Sequence, residues 1–304
     1  MADYLTYNDI SDQVCKAMGD MQKSRLLEVQ AVINMVYLDE IMVCDELYPM
    51  HWLMELIDGI KTKDSKTVTG ITKANPGVVT SASHGFVNGD VVQFGVVTGM
   101  TELNYTLAVV TNKAAGTFEL YDLNGSTINT SGYVAVGTAG TVYHRGVTLS
   151  KSISQIHTFS WQGYNSLVPP ISLEEIEENS SHMDTTNSTR PTKHSHKQHF
   201  TTAGVKSDRL LWYPLPNDNY DGRVWGELDI SPMSSAAHVP QLPFRFHNAI
   251  VSGSIARLVQ YGNIQIENAV VWPGLYKMQI EAIKTYNRNY WKQFPDQRSG
   301  IFMI

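Results

Sequence analysis

Cysteine is scarce in this chain: 304 residues hold two, Cys15 and Cys44, both in apolar stretches with helical spacing. Two such thiols are no disulfide framework, so an apolar core must hold the fold, and synthesis in a cytoplasm is expected. Charged residues are few, 17%, and the net charge is -6. A protein that coats phosphates is normally basic, so the balance excludes a strong nucleic-acid binder, although an acidic lumen suits a ring that surrounds DNA without gripping it. The opening MADYLTYNDISDQ lacks the basic segment and apolar run of a secretory leader, and no stretch is apolar for long enough to cross a bilayer. A soluble protein with no membrane partner is expected. No G-x-S-x-G, Walker phosphate loop, H-E-x-x-H or C-x-x-C occurs, so neither an enzyme nor a cofactor is expected.

What is present divides the chain by composition. Residues 1–66 carry helical periodicity. Ile10, Val14, Ala17 and Met18 mark a short helix capped by Thr6 or Asn8. Ser24 offers a cap for a longer one, Arg25 to Leu47, which Pro49 ends. Its apolar residues cover more than one stripe, the pattern of a helix packed on several sides. From 67 to 146 charge thins and Gly, Thr and Val dominate. Strands are expected at Val78–Thr80, Val91–Phe94, Thr106–Val110, Thr117–Leu120 and Gly140–Tyr143, with turns at Asn88-Gly89-Asp90 and Asp122-Leu123-Asn124-Gly125. This reads as a small all-β module inserted into a helical protein.

Residues 147–204 read as an extended segment holding a long exposed loop. Residues 205–292 begin with Arg209–Pro216 and Arg223–Ile230, expected as a β-hairpin about NDNYDG. Helices follow over Phe244–Tyr261, where Ala249, Gly253 and Ala256 form a small-residue face, and over Asn268–Gln293, which Pro273 kinks or restarts. Residues 293–304 end in Ile301, Phe302, Met303 and Ile304, an apolar arm suited to a partner's groove. The fold class expected is therefore α+β: a helical-bundle core with a β-hairpin and an inserted small all-β domain.

Chemistry-bearing residues are few. The group KHSHKQH places His194, His196 and His199 together, with His182 upstream. His-x-His on a strand puts both rings on one face, and neutral imidazole binds zinc or nickel well. Lys193 and Lys197 disfavour a dication, however, and no cysteine or carboxylate within the group completes a set. A solvated or interface loop facing an acidic neighbour is the expectation. Glu174, Glu175, Glu177 and Glu178 read as a solvated face, and His84, among turn residues with no acid or nucleophile beside it, as structural. No metal site follows.

Two stretches carry a family resemblance. RLLWYPLP, Arg209 to Pro216, followed by LPFRFHNAIVSGSIARLVQYG, Leu242 to Gly262, resembles the head-to-tail adaptor proteins of tailed bacteriophages; YNDISDQV and the helix after it fit their opening. VVTSASHGFVNGDVVQFGVVTGMTELN, Val78 to Asn104, with GTFELYDLNGSTINTSGY, Gly116 to Tyr133, is similar to a β module of phage structural proteins. That module carries a likeness to a ubiquitin-activating-enzyme domain in its β fold, not in its chemistry. The resemblance implies a structural virion protein made in the host cytoplasm and placed at the virion neck. It would form a ring, twelvefold like the portal, that joins portal to tail around the DNA channel without specific DNA binding. The partners implied are the portal protein, a tail-tube or nozzle protein, further copies of the chain, and a fibre or collar protein through the β module. Ile301–Ile304 would be the portal-binding arm. Leu26, Ile33, Val36, Ala249, Gly253 and Ala256 would line the subunit interface, which in a ring is heterologous. Alternatives are a tail-tube, collar or fibre-attachment protein, a metal-dependent hydrolase using the His loop, and a carbohydrate-binding module.

Overall fold

A computed structural model of the chain describes residues 4–20, 22–134, 138–164, 166–180, 189–200, 206–261 and 269–293. It divides into two compact units, Met1–Glu55 with Glu227–Ile304, and Leu56–Gly226.

The first unit is helical. Helix α1 (Tyr7–Ala17) starts at a capping box, in which the Asp9 N–H donates to Thr6 Oγ1 and the Thr6 N–H to Asp9 Oδ2. Helix α2 (Leu26–Met35) buries Val29, Val32 and Ile33 and then widens into a π-helical turn, Val36–Ile41. The α-helix expected over Arg25–Leu47 therefore ends early, and the reason is visible in its apolar residues. Val29, Val32, Ile33, Val36 and Tyr37 follow the α period, while Ile41 and Met42, also buried, sit four and five residues beyond Tyr37. The wider turn brings both onto the same side as Tyr37.

Helix α4 (His247–Gln260) is buried along most of its length, and α5 (Val271–Gln293) presents Ile283, Asn287 and Trp291 to the core. Pro273 lies in the first turn of α5, where its missing N–H costs no helical hydrogen bond. Gly253 of α4 is needed for close packing. A Cβ there would stand 2.7 Å from Val36 Cγ1 and 2.6 Å from Tyr276 Cε2.

The second unit is mostly sheet. Its strands are β1 (Met54–Lys61), β2 (Lys66–Val68), β3 (Gly70–Ile71), β4 (Val78–Thr80), β5 (Asp90–Phe94), β6 (Leu107–Thr111) and β7 (Thr117–Tyr121). They continue with β8 (Gly140–Thr148), β9 (Ile153–Trp161), β10 (Lys193–Phe200), β11 (Lys206–Tyr213) and β12 (Asp221–Leu228). One sheet has the order β1-β12-β9; the other runs β10-β11-β8-β5-β6-β7-β4-β3, with β2 also on β8. Every residue of β5 is buried because both faces are covered: Val92 and Phe94 join Phe118, Leu120 and Val142 on one, and Val91 joins Leu211 and Ile176 on the other. Ile176 comes from α3 (Leu173–Ser180).

These facts correct the expected fold class. Sheet carries more of the ordered chain than a β insert in a helical-bundle core would. The segment around His194, expected as an exposed loop, is strand β10, paired with β11 from Lys193↔Tyr213 to Phe200↔Lys206. The expected hairpin is absent as well. β11 pairs with β10 and β8, whereas β12 lies in the other sheet between β1 and β9. Leu210 and Trp212 of β11 and Val224 of β12 share one core with Phe159 and Trp161 of β9, so the two segments are packing partners across a core rather than ladder partners.

Gly253→Ala is expected to destabilise the helical unit by about 1–3 kcal/mol, because the overpacking cost exceeds the helix preference for Ala of about 1 kcal/mol. Denaturant unfolding followed by circular dichroism checks this; a more stable variant would refute the close packing at Val36 and Tyr276.

Candidate functional site

The β unit holds three groupings of polar residues and one cleft that bear on function. The cleft, about 370 Å³, is bordered by Ile57–Lys61 of β1, by Lys63, by the turn Val87–Asp90 and by Val147–Ser150. Ile57, Ile60 and Leu149 supply buried apolar surface there. The turn is built on Gly89, whose φ is 93° and whose absent Cβ would stand 3.1 Å from Thr148 Cβ. Its carbonyl accepts from the Thr148 N–H at 2.8 Å and the Thr148 hydroxyl at 2.9 Å.

Beneath the turn lies Asp90, 2% exposed. Its Oδ2 accepts from the Val87 N–H at 2.8 Å and pairs with Lys63 Nζ. Its Oδ1 stands 3.4 Å from His144 Nε2, too long and poorly directed for a formed hydrogen bond, so this contact is electrostatic. Burial opposes charge on Asp90, but His144, Lys63 and the Val87 N–H outweigh it and hold its pKa below the usual carboxylate value. Burial in turn lowers the pKa of His144, whose ring is packed between Phe86 and Trp212. A carboxylate and an imidazole thus meet beneath the turn, with the Lys63 amine paired to the carboxylate.

The second grouping is the histidine strand. His194 and His196 do share a face of β10, but each is taken by a different partner. His194 Nδ1 donates to the Val168 carbonyl at 2.8 Å, and burial lowers its pKa to about 4. His196 Nε2 donates to Asp208 Oδ1 at 2.9 Å. The other oxygen of Asp208 accepts from the Ser152 hydroxyl at 2.9 Å and the Ile153 N–H at 3.0 Å. Burial works against the Asp208 charge, yet these donors and Lys206 keep its pKa low. Ser, His and Asp therefore meet, but in the wrong order for acyl transfer. The carboxylate stands between serine and histidine, so the His196 imidazole does not face the hydroxyl as a base. His199 lies on the opposite face, half-buried with its Nε2 against Gly125, and His182 lies outside the described residues. Among the described residues no group of three His, Cys, Asp or Glu is placed to hold a metal ion.

The third is a shallow pocket of about 350 Å³ lined by Asp122, Asn124, Glu177 and Lys197 among others. Asp122 Oδ1 is spent on the N–H groups of Asn124 and Ser126, each at 2.8 Å, so it closes a turn. Glu174, Glu177 and Glu178 are exposed on α3, and Lys193 pairs with Glu175 at 2.7 Å. His84 is 1% exposed, with Nε2 donating to Ala114 O and Nδ1 accepting from the Phe86 N–H.

The remaining sequence-predicted residues fall in the helical unit. Ile33, Val36, Ala249, Gly253 and Ala256 are buried and Leu26 packs partly against the same core, so their neighbours are other parts of this chain. Ile301, Phe302, Met303 and Ile304 lie outside the described residues. Sequence reasoning missed Asp208, Asp90 as more than a turn residue, and Arg145. Arg145 is the extra residue of a bulge where Val91 pairs with Gly146 and Val92 with His144. It is 2% exposed, its guanidinium lies 5.2 Å from the Tyr213 ring centre, and burial lowers its pKa to about 10. Among the described residues no carboxylate pairs with it. The signal was present: a lone charge inside a run of apolar, Gly and Thr residues.

Residues 74–142 match the ubiquitin-activating enzyme E1 FCCH domain. The match spans β4 to β7 and the start of β8, under a quarter of the chain. No curated protein matches the chain. The similarity corrects the family reading, since the family found is not that of phage head-to-tail adaptors. With it fall the virion neck as the location, the portal-to-tail joining role, and its tail-tube, collar and hydrolase alternatives. The portal, tail and collar partners and the twelvefold ring were implied by that role alone. Among the described residues no helix is long and apolar enough to cross a membrane.

Two stability predictions follow from this chemistry. The folded pKa of His194 lies below the unfolded value, so the unfolded chain binds the proton first. Stability should therefore fall as pH drops from about 6.5 toward 4, by at most about 3 kcal/mol from this residue. His194→Gln should flatten that slope in urea titrations repeated across the window; an unchanged slope would show that His194 is not neutral when folded. Arg145→Met should leave stability equal or raise it by about 1–2 kcal/mol, since it removes a buried charge that lacks a counter-charge. A loss of 3 kcal/mol would mean the guanidinium has a partner.

Proposed function

We propose that the chain is a non-catalytic protein-binding scaffold whose β unit takes ubiquitin at the cleft beside β1. The observation that carries this reading is the edge. β1 pairs with β12 on one side and is the outer strand of its sheet, next to the apolar surface of Ile57, Ile60 and Leu149. An open strand edge beside an apolar cleft accepts an extended segment, with backbone hydrogen bonds supplying affinity and the floor supplying selectivity. The charged groups around it are already paired: Asp58 with Arg223 at 3.0 Å, Lys61 with Asp221 at 3.2 Å, and Lys63 with Asp90. Little fixed charge is left to demand a strongly ionic partner. The similarity of residues 74–142 to a domain of a ubiquitin-activating enzyme supports ubiquitin as that partner.

The thiols argue for binding over transfer. The matched residues contain no cysteine. Cys15 is buried with its pKa raised, and burial pushes Cys44 up to about 11. A thiol held protonated is a poor nucleophile. The full chain incubated with ubiquitin, ATP and magnesium should therefore keep its intact mass. In a titration of the isotope-labelled chain with ubiquitin, amide shifts should concentrate at Ile57–Lys61 and Val147–Ser150. Val87→Glu, at a half-exposed position on the cleft, should weaken binding about tenfold, as expected for a charge placed in an apolar contact. A thiol-sensitive ubiquitin adduct, or shifts confined to other residues, would contradict the proposal.

A further inference from the structure

Two buried side chains of the β unit keep unmet hydrogen-bonding capacity, and they stand on neighbouring strands. Gln93 of β5 is fully enclosed; its Nε2 donates to the Tyr105 carbonyl at 3.1 Å, and its Oε1 has no donor among the described residues. The bond to Tyr105 fixes the orientation of the amide, so the end left over is an acceptor. Arg145 of β8 is as deeply buried, and its Nε has no acceptor among the described residues. The bulge sets Arg145 between the pairs Val91↔Gly146 and Val92↔His144, and the next pair is Gln93↔Tyr143. Both side chains lie on one side of the sheet. Alternation puts Gln93 on the face of Val91, which Ile176 of α3 covers, and the Arg145 guanidinium lies by Tyr213, which packs against that same cluster.

Buried polar groups are nearly always paired, and a buried cation without a counter-charge is costly. The charged neighbours on this face are already engaged. Lys193, opposite Tyr213 in the ladder, pairs with Glu175, and Arg209 donates to the Leu123 carbonyl. A group that satisfies both orphans must carry negative charge, accept from the guanidinium and donate to the amide oxygen. We propose that Arg145 and Gln93 form a binding site for a small oxyanion that keeps a proton at neutral pH, the chemistry shared by hydrogen phosphate and hydrogen carbonate. The unprotonated oxygens accept from the Nε edge of Arg145, a planar fork that matches an oxyanion. The remaining O–H donates to Gln93 Oε1, which the Tyr105 carbonyl holds in place. Sulfate separates the two contacts, because at neutral pH it has the charge and the oxygens but no proton to give.

Calorimetric titration of the full chain tests this, with inorganic phosphate and sodium hydrogen carbonate as probes and sulfate as the unprotonated control at matched ionic strength. One of the two probes should bind the native chain at least about tenfold more tightly than sulfate, and which one does tells whether the site takes a tetrahedral or a planar anion. In proton–nitrogen spectra of the native chain, the Arg145 Nε–H and the Gln93 side-chain amide should shift along the same titration. Gln93→Met should remove the preference over sulfate and leave sulfate binding as it was. Arg145→Met, with its circular dichroism spectrum unchanged, should lose binding of all three anions. A native chain that binds neither probe, sulfate held as tightly as both probes, shifts confined to other residues, or binding that survives Arg145→Met would each overturn the proposal.

Discussion

The joining of the two sheets in the β unit depends on one buried carboxylate, Asp208. Asp208 sits at the start of β11 and binds three donors from two parts of the chain at once: His196 on the neighbouring strand, and Ser152 and the Ile153 N–H at the entry to β9. β11 belongs to one sheet and β9 to the other. One charge therefore sets the register of β10 and anchors the crossover between sheets. A buried carboxylate is tolerated only when its lone pairs are filled, and here every donor comes from the fold itself. That is why this Ser, His and Asp grouping is arranged as a strand anchor, with the carboxylate between serine and histidine. Its polarity is consumed in holding strands whose own sequence is too polar to hold itself.

Similar logic orders the helical unit. The π-helical turn after α2 aims Glu40 at Arg257 and Tyr276, which bind its two oxygens at 2.6–2.9 Å. Asn287 of α5 accepts from the His51 N–H and donates toward Asp45 and the carbonyls of Tyr48 and Pro49. Arg288 completes the same attachment through Asp45. Apolar packing at Gly253 brings α4 and α5 close, and these polar ties fix which residues meet.

How much of this could be read in the amino-acid order varied with the range of the interaction. Strands β4 to β7 were legible because alternation and turn signals such as Asn88-Gly89-Asp90 are local. The π-helical turn was half legible: the apolar residues around Ile41 and Met42 were too many for one α face, but the change of period that accommodates them was not inferred. β10 was illegible because its ladder is stabilised by Asp208, Val168 and Glu175, none of them inside KHSHKQH. The hairpin expectation failed for the same reason, since NDNYDG reports that the chain reverses but not which strand it joins. The candidate cleft was also hidden. Its turn was seen, but β1, with the uneven burial of MELIDGIK, has no clear period. A family likeness read from short stretches at the chain's two ends proved weaker than the continuous similarity over residues 74–142.

The central claim is that His194, His196 and Asp208 of the β unit are spent on structure, leaving recognition to the edge of β1. Long-range proton–nitrogen spectra of the imidazole rings, recorded with and without zinc and with and without ubiquitin, address it most directly. The account predicts that His194 keeps a protonated Nδ1 and His196 a protonated Nε2 in all four samples. It also predicts that His194 stays neutral until the pH approaches about 4. A zinc-dependent shift of both rings, or a His194 that titrates near the ordinary histidine value, would contradict it.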